Sequence, residues 1–427
     1  MDRLPSYSPK PSLPTVAELP TFLKAVHAKY SAFQPSADPK AKTALQQCLL
    51  RNHTRGIVFQ GFRTNHLVHK LYTQWSLGAT PARLQLTFDG LFPKLEPLPS
   101  GSADPVVLDS DNWLHYFGNR QQYGAYLEFF DKEIRRYAGD LSRVVQQYFQ
   151  QILPGLLGGL THPWIHVAFA LEFDDPLVLS EGLAYACSWY FDRSVVIDVP
   201  DSSHTNCTNK QPNESITFAD PVDILLAVSK DSTLTLPPGI APFGRRFEYL
   251  VTSAADQTLI DLVHRWELNT TKNLVEVLHR LTLVTVLVYA GRKDYSRLDF
   301  YLAHAVTSLF ATHILLPYIS DPNDRVRMLR LQLYTILAIY VAEGRGILVL
   351  EEILGYQPLQ LLVDQETPGT VADYLRERAL ATEDDHVAKV VRALDYFESL
   401  YGFHEGLFRN AALKTVDLVV TTDDWIQ

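Results

Sequence analysis

The stretch LTHPWIHVAFALEFDD, residues 160–175, is the one on which the reading of this chain turns. Proline is well tolerated in the first turn of a helix, and Pro163 directly follows His162. A helix starting here puts His162 at its N-cap and His166 one turn further along the same face. Trp164, Ile165, Val167, Phe169 and Leu171 are apolar on nearly every side, the pattern of a buried helix. Glu172, Asp174 and Asp175 close the stretch as a short acidic cluster, and no lysine or arginine interrupts it. Paired imidazoles on a buried helix are costly unless they are hydrogen-bonded or bound to metal. Two readings stand side by side: one core histidine with one surface histidine, or a metal site.

Working outward, TNHLVHKLYTQWSL (residues 64–77) reads as a second helix, with Gly78 as its C-cap and Pro81 beyond. Asn65 or Thr64 caps its start, and His66 and His69, three apart, fall near one face. Residues 1–14 are proline-punctuated and read as an extended N-terminal arm, followed by short helices at 16–30 and 41–50. Residues 88–105 read as loop, 123–153 as one long amphipathic segment, and 154–159 as a break. A helix at 176–191 carries Glu181. Residues 198–215 form a polar loop, and 237–244 a second irregular stretch. Helical runs then follow at 221–228, 257–268, 272–289, 297–316, 324–342, 370–380, 385–401 and 404–413. Period-two strands are scarce and short. The expected fold is mainly α: a single large multi-helix, bundle-like domain over residues 15–427, with long irregular loops and few short strands.

Composition narrows the function classes. With 47% hydrophobic and 20% charged residues among 427, the chain can bury a large core. A net charge of −10 argues against a nucleic-acid surface. The 3 cysteines, Cys48, Cys187 and Cys207, lack C-x-x-C spacing and cannot all pair, which points to a reducing, cytoplasmic setting. No secretory signal is legible at the N-terminus, and the best apolar run, residues 281–290, is too short to span a membrane. No G-x-G-x-x-G follows a strand, so an intrinsic flavin or nicotinamide fold is not expected. The H-E-x-x-H and G-x-S-x-G motifs are absent as well.

The remaining chemistry lies in histidines and one lysine. His304 sits in LAHAVTSLFATH with Thr307 one turn later, and His386 lies one turn before Lys389 in DDHVAKVVRALDYF. His53, His204 and His404 fall in loops or at helix starts, and His27, His115, His264, His279 and His313 are isolated. Imidazoles suit iron, zinc, copper or nickel, and a site without cysteine leans away from structural zinc. Lys389 borders the polar arc of Arg392, Asp395 and Ser399, and a lysine so placed ordinarily reaches solvent. It also belongs to a row with His386, Ala393, Tyr396 and Leu400. If that row is buried, the amine loses much of its basicity. A neutral amine can take up carbon dioxide as a carbamate, an oxygen ligand suited to iron.

Several blocks in order carry a family resemblance: NHLVHKLYTQWSLGA (65–79), LTHPWIHVAFALE (160–172), LAHAVTS (302–308) and DDHVAKVVRALDYFESLYG (384–402). With YSPKPSLP near the N-terminus and the region 112–130, they resemble the signature blocks of the questin oxidase-like family over most of the chain. The resemblance implies a fungal enzyme of secondary metabolism that opens a ring of an anthraquinone-type polyketide, with a Baeyer–Villiger-like outcome and no flavin. One branch of the family holds a non-heme iron with histidines and a carboxylated lysine. Carried over by motif, the lysine is Lys389. The histidines come from among His66, His69, His162, His166, His304 and His386. The ranking favours His69, His162, His166 and His304 as ligands, with His66 and His386 as supporting partners.

The leading expectation is therefore an Fe(II)-dependent oxygenase with O2 as co-substrate, NADPH as a candidate reductant and a reduced anthraquinone as substrate. It has no nucleic-acid or membrane partner. Thr307 is expected to place a water or substrate hydroxyl at the metal, and Trp164, Phe169 and Tyr396 to pack on the planar substrate. Two competing expectations are a metal-free, NADPH-dependent Baeyer–Villiger-type oxidase with histidine bases, and a helical polyketide-binding protein without chemistry.

Overall fold

The computed structural model describes residues 33–60, 63–98, 106–199, 217–241, 243–293, 297–358 and 370–419. The arm at 1–14, the helix expected at 16–30 and most of the loop at 198–215 lie outside the described residues. The structure is 69% helical, and among the described residues the one sheet is a two-stranded antiparallel pair, Val58–Phe59 with Arg63–Thr64. Its layers are accordingly helix on helix, as the apolar periodicities require.

Four helices matter most: Leu67–Ser76, His162–Phe173, Phe300–Leu315 and Val387–Tyr401. Each packs on the next and the last returns to the first, so they close a ring. Pro176–Ser188 backs the second of them, and Leu407–Leu418 backs the fourth. Side chains such as Trp164, Ile165, Val167, Leu302, Val306, Val390 and Phe397 are buried, each contributing roughly 1.5–3 kcal/mol. Helix starts follow their caps. Asp175 accepts from the Leu177 and Val178 N–H groups, and Asp299 from those of Tyr301 and Leu302.

Several boundaries differ from the sequence reading, each for a local reason. The segment 123–153 is two helices, Tyr123–Arg136 and Leu141–Ile152, because Ala138 and Gly139 adopt left-handed φ of 53° and 79° and Asp140 caps the second. Pro81 is a start as well as a stop. Thr80 accepts from the Arg83 N–H and opens a helix Pro81–Leu91, whose last turn runs into the stretch 88–105 read as loop. The helix Phe243–Val251 begins within the stretch 237–244 read as irregular and continues past it. The helix carrying His162 begins at His162 itself, with Thr161 as the N-cap residue. One segment, Phe300–Tyr318, is long and apolar enough to cross a membrane by length and composition, contrary to the sequence reading. Of its apolar window, 78% is buried inside the fold.

Candidate metal centre and its cavity

The four ring helices deliver their histidines from their N-terminal ends. His66 and His386 immediately precede their helices, His162 opens its own, and His304 lies in the second turn of Phe300–Leu315. Their imidazoles form a closed circuit. Ring centroids are 4.7 Å apart for His66–His162, 4.9 Å for His162–His304, 4.8 Å for His304–His386 and 4.9 Å for His386–His66. The Nε2 atoms of His66 and His162 are 2.7 Å apart. One nitrogen from each of His66, His162 and His386 lies within 4.8 Å of the others.

Backbone carbonyls set the orientation of two of these rings. His162 Nδ1 donates to Gly159 O at 2.6 Å, and His304 Nδ1 donates to Phe300 O at 2.9 Å. A carbonyl only accepts, so in each neutral ring the lone pair is left on Nε2. The Gly159 carbonyl reaches its position through three consecutive left-handed residues, Gly159, Leu160 and Thr161, with φ of 58°, 52° and 64°. Left-handed conformations at Leu160 and Thr161 cost of order 1–3 kcal/mol each, which the surrounding packing sustains.

Lys389 lies one turn beyond His386 and is 4% exposed, so the solvated reading of this lysine does not hold. His386, Ala393 and Tyr396 of its row are buried with it, and Arg392 is drawn inward by an ion pair with Glu172. Burial, with Lys70 nearby, depresses the amine to about 8 against the opposing pull of Asp384 and Asp385. Burial first, and then neighbouring positive charge, holds His66, His69, His162 and His304 well below the usual imidazole range. His386 is lowered for the same reasons. The cluster is thus neutral imidazole at physiological pH. His304 Nε2, both nitrogens of His386, His69 Nδ1 and Lys389 Nζ are buried with no hydrogen-bond partner among the described residues.

His69 and His166 form a layer behind this circuit. His69 Nε2 is 3.2 Å from His166 Nδ1, and His166 Nε2 is 3.1 Å from the Glu181 carboxylate. Both nitrogens of His166 are therefore engaged. Glu181 also meets His53 Nδ1 at 3.0 Å, and His53 Nε2 meets Asp131 at 3.2 Å. His53, Asp131 and Glu181 escaped the sequence reading as site residues because the bonds joining them span 78 and 128 positions. His279, read as isolated, pairs with His404, read as a loop or helix-start histidine: their Nε2 atoms lie 3.1 Å apart, with the His279 ring beside Tyr401.

A cavity of about 690 Å³ opens above the circuit, with His66, His162, His304 and His386 among its lining. Phe59, Tyr185, Trp189, Phe300 and Tyr301 supply aromatic surface, and Arg63, Lys94 and Arg120 are basic groups along it. Trp164, Phe169 and Tyr396 are not among the lining residues. Trp164 is fully buried, Phe169 stacks on His69 with centroids 5.1 Å apart, and Tyr396 packs edge-on against Phe310. Thr307 donates to the carbonyls of Ala303 and His304 within its own helix and does not line the cavity.

Fold and site together define a mainly helical protein with neutral histidines and a buried lysine under an aromatic cavity, a donor set able to take a metal ion. The profile of the questin oxidase-like family matches residues 63–394, and the chain belongs to that family. It is 28% identical over 412 residues to a Baeyer–Villiger oxidase of Pestalotiopsis microspora, covering 88% of this chain and 86% of the relative. It is 27% identical over 361 residues to a questin oxidase of Aspergillus terreus, covering 79% and 75%. A Baeyer–Villiger oxidase of Emericella nidulans is 28% identical over 386 residues, covering 85% and 83%.

Proposed function

We propose that the protein is a flavin-free, non-heme iron oxygenase that opens a ring of an anthraquinone-type polyketide by O2-dependent C–C cleavage. The names of its relatives support an oxidase of aromatic polyketides. One structural observation carries the iron: buried nitrogens of His304, His386 and Lys389 have no hydrogen-bond partner among the described residues, with His386 Nδ1 3.7 Å from an Asp384 carboxylate oxygen, beside two Nε2 atoms at 2.7 Å. Leaving so many polar atoms buried and unsatisfied costs about 1–3 kcal/mol apiece, and a bound cation relieves that cost. The proposed ligands are His66, His162, His304, His386 and Lys389. This set includes two histidines that the motif ranking had placed as supports, and it leaves His69 and His166 behind the site.

Lys389 takes part as a carbamate. Its neutral amine forms an N–C bond to carbon dioxide and releases one proton, giving oxygen donors in place of nitrogen. Iron(II), when bound, supplies the activation of dioxygen. The chain's own residues do the rest. Trp189, Phe300 and Tyr301 stack a planar ring system over the histidines, and Arg120 and Lys94 face its ionised phenolic oxygens. The cavity's aromatic walls keep bulk water from the reacting carbon.

Metal analysis of untagged protein, with oxygen uptake on a reduced anthraquinone, tests this reading. About one iron per chain, with uptake lost on chelation and regained with Fe(II), is expected. Undiminished turnover after complete iron removal refutes it and favours the metal-free oxidase. Tight binding of the anthraquinone without oxygen uptake favours the carrier.

A further inference from the structure

We infer that Tyr185, backed by Thr64, is a hydrogen-bond donor to a ketone oxygen of the substrate, beside the His66–His162 edge of the histidine circuit. The two hydroxyls reach the cavity from unconnected elements. In the strand Arg63–Thr64 side chains alternate, with Arg63 exposed and Thr64 buried. Tyr185 comes from the helix Pro176–Ser188 and is 1% exposed. Their oxygens are 2.9 Å apart, and both residues line the cavity. Neither hydroxyl has a second hydrogen-bond partner among the described residues. Two hydroxyls bring two protons. The bond between them consumes one, whichever residue donates it. A phenol keeps its proton at neutral pH, and burial pushes this one further up. One O–H is therefore left over at the cavity wall. A buried donor without an acceptor is costly, so the ligand that relieves it presents an oxygen lone pair.

Position narrows the ligand further. Gly159 has a φ of 58°, and a Cβ there would stand 2.7 Å from Tyr185 Oη, so glycine leaves the phenol oxygen uncovered. The Gly159 carbonyl is also 2.6 Å from His162 Nδ1, and Thr64 precedes His66 by two residues. The spare proton thus lies beside two of the proposed ligands. The Tyr185 ring meets Trp189 edge-on with centroids 5.3 Å apart, and the Arg120 guanidinium lies 5.4 Å from the Trp189 ring centroid. A flat ring system against Trp189 therefore has a neutral donor and a cation at its margin. The cation suits an ionised phenolic oxygen, and the neutral donor suits a carbonyl. Of the two hydroxyls the phenol is the more acidic and the stronger donor. It serves the ligand while Thr64 donates into it, and the second bond strengthens the first. That the carbonyl belongs to a fused-ring ketone rests on the substrate class proposed above; the spare proton does not.

Calorimetric titration of the full chain with two soluble probes tests this. Anthraquinone monosulfonate carries ring carbonyls; anthracene monosulfonate, substituted at the same carbon, has the same fused rings and the same anion without them. Neither titration needs iron. Tyr185→Phe is expected to weaken binding of the anthraquinone about three- to tenfold, the worth of one neutral hydrogen bond, and to leave the anthracene within about twofold. Thr64→Val keeps the phenol and is expected to weaken the anthraquinone less than Tyr185→Phe does. Equal changes for the two probes in Tyr185→Phe, or no change in either, overturn the inference and leave the substrate class standing. A larger loss in Thr64→Val than in Tyr185→Phe overturns the phenol as the donor. Wild-type protein that binds neither probe overturns the inference and the substrate class together.

Discussion

Replacing Lys389 with methionine separates two effects that usually run together, and their signs differ. In the metal-free protein the buried amine titrates at about 8 instead of 10.5. At about 1.4 kcal/mol per pH unit, holding the ammonium form in the folded state costs about 3 kcal/mol. Below pH 8 the folded and unfolded chains both carry the proton, and the whole penalty applies. Between pH 8 and 10.5 the folded amine is neutral while the unfolded one is still charged, so stability rises with pH. Methionine has similar reach, no charge and no unsatisfied donor. Urea unfolding of chelator-treated protein in carbonate-free buffer should therefore show Lys389→Met more stable than wild type at pH 7, by up to about 3 kcal/mol. The gap should shrink by pH 10. The same variant should fail to hold iron and should lose oxygen uptake, because it offers no carbamate. A variant that is less stable than wild type at pH 7 without metal refutes the buried-charge argument. Retained iron and turnover refute the role of the lysine as a ligand.

Three further outcomes follow from the same geometry. His304→Ala and His386→Ala should each lower iron content and oxygen uptake about tenfold or more while far-ultraviolet circular dichroism stays helical; both variants with full iron would remove them from the site. A Cβ at Gly158 would lie 1.7 Å from the Trp189 carbonyl oxygen. Gly158→Ala should accordingly cost about 1–3 kcal/mol or more, read as a lower melting temperature. Burial opposes the charge of His53, but Asp131 and Glu181 outweigh it and raise its pKa from 6.5 to about 10. The stability it contributes is complete below pH 6.5 and fades as pH rises toward 10. The stability gap between wild type and His53→Gln should narrow over that range, and a pH-independent gap would contradict the assigned ion pairs.

Helical character and the identity of the site blocks were legible without coordinates. Long apolar periodicities marked nearly every large helix, and the paired spacings His66/His69 and His162/His166 marked two of the helices at the site. Local rules failed where two signals coincide in one residue. Pro81 is both a plausible stop after Gly78 and a good first-turn residue, and the Thr80 cap decided for a new helix. Residues 138 and 139 carried no mark strong enough to split a continuous amphipathic pattern, yet their backbone turns left-handed there.

By itself the sequence determined that this is a helical protein with histidines in pairs, a lysine one turn from a histidine, and the ordered blocks of its family. Spacing along one helix fixes which residues share a face, because that depends only on 3.6 residues per turn. It does not fix which member of a pair meets the neighbouring helix. Tertiary packing decided that His66 and His162 face each other while His69 and His166 form the layer behind. It also decided that Lys389 is buried, and that Arg392 of the polar arc beside it turns inward to pair with Glu172, 220 positions away. Glu181, His53 and Asp131 come together only in the folded chain. Their partners lie on helices far apart in sequence, and no local pattern encodes a contact that exists only once those helices have packed.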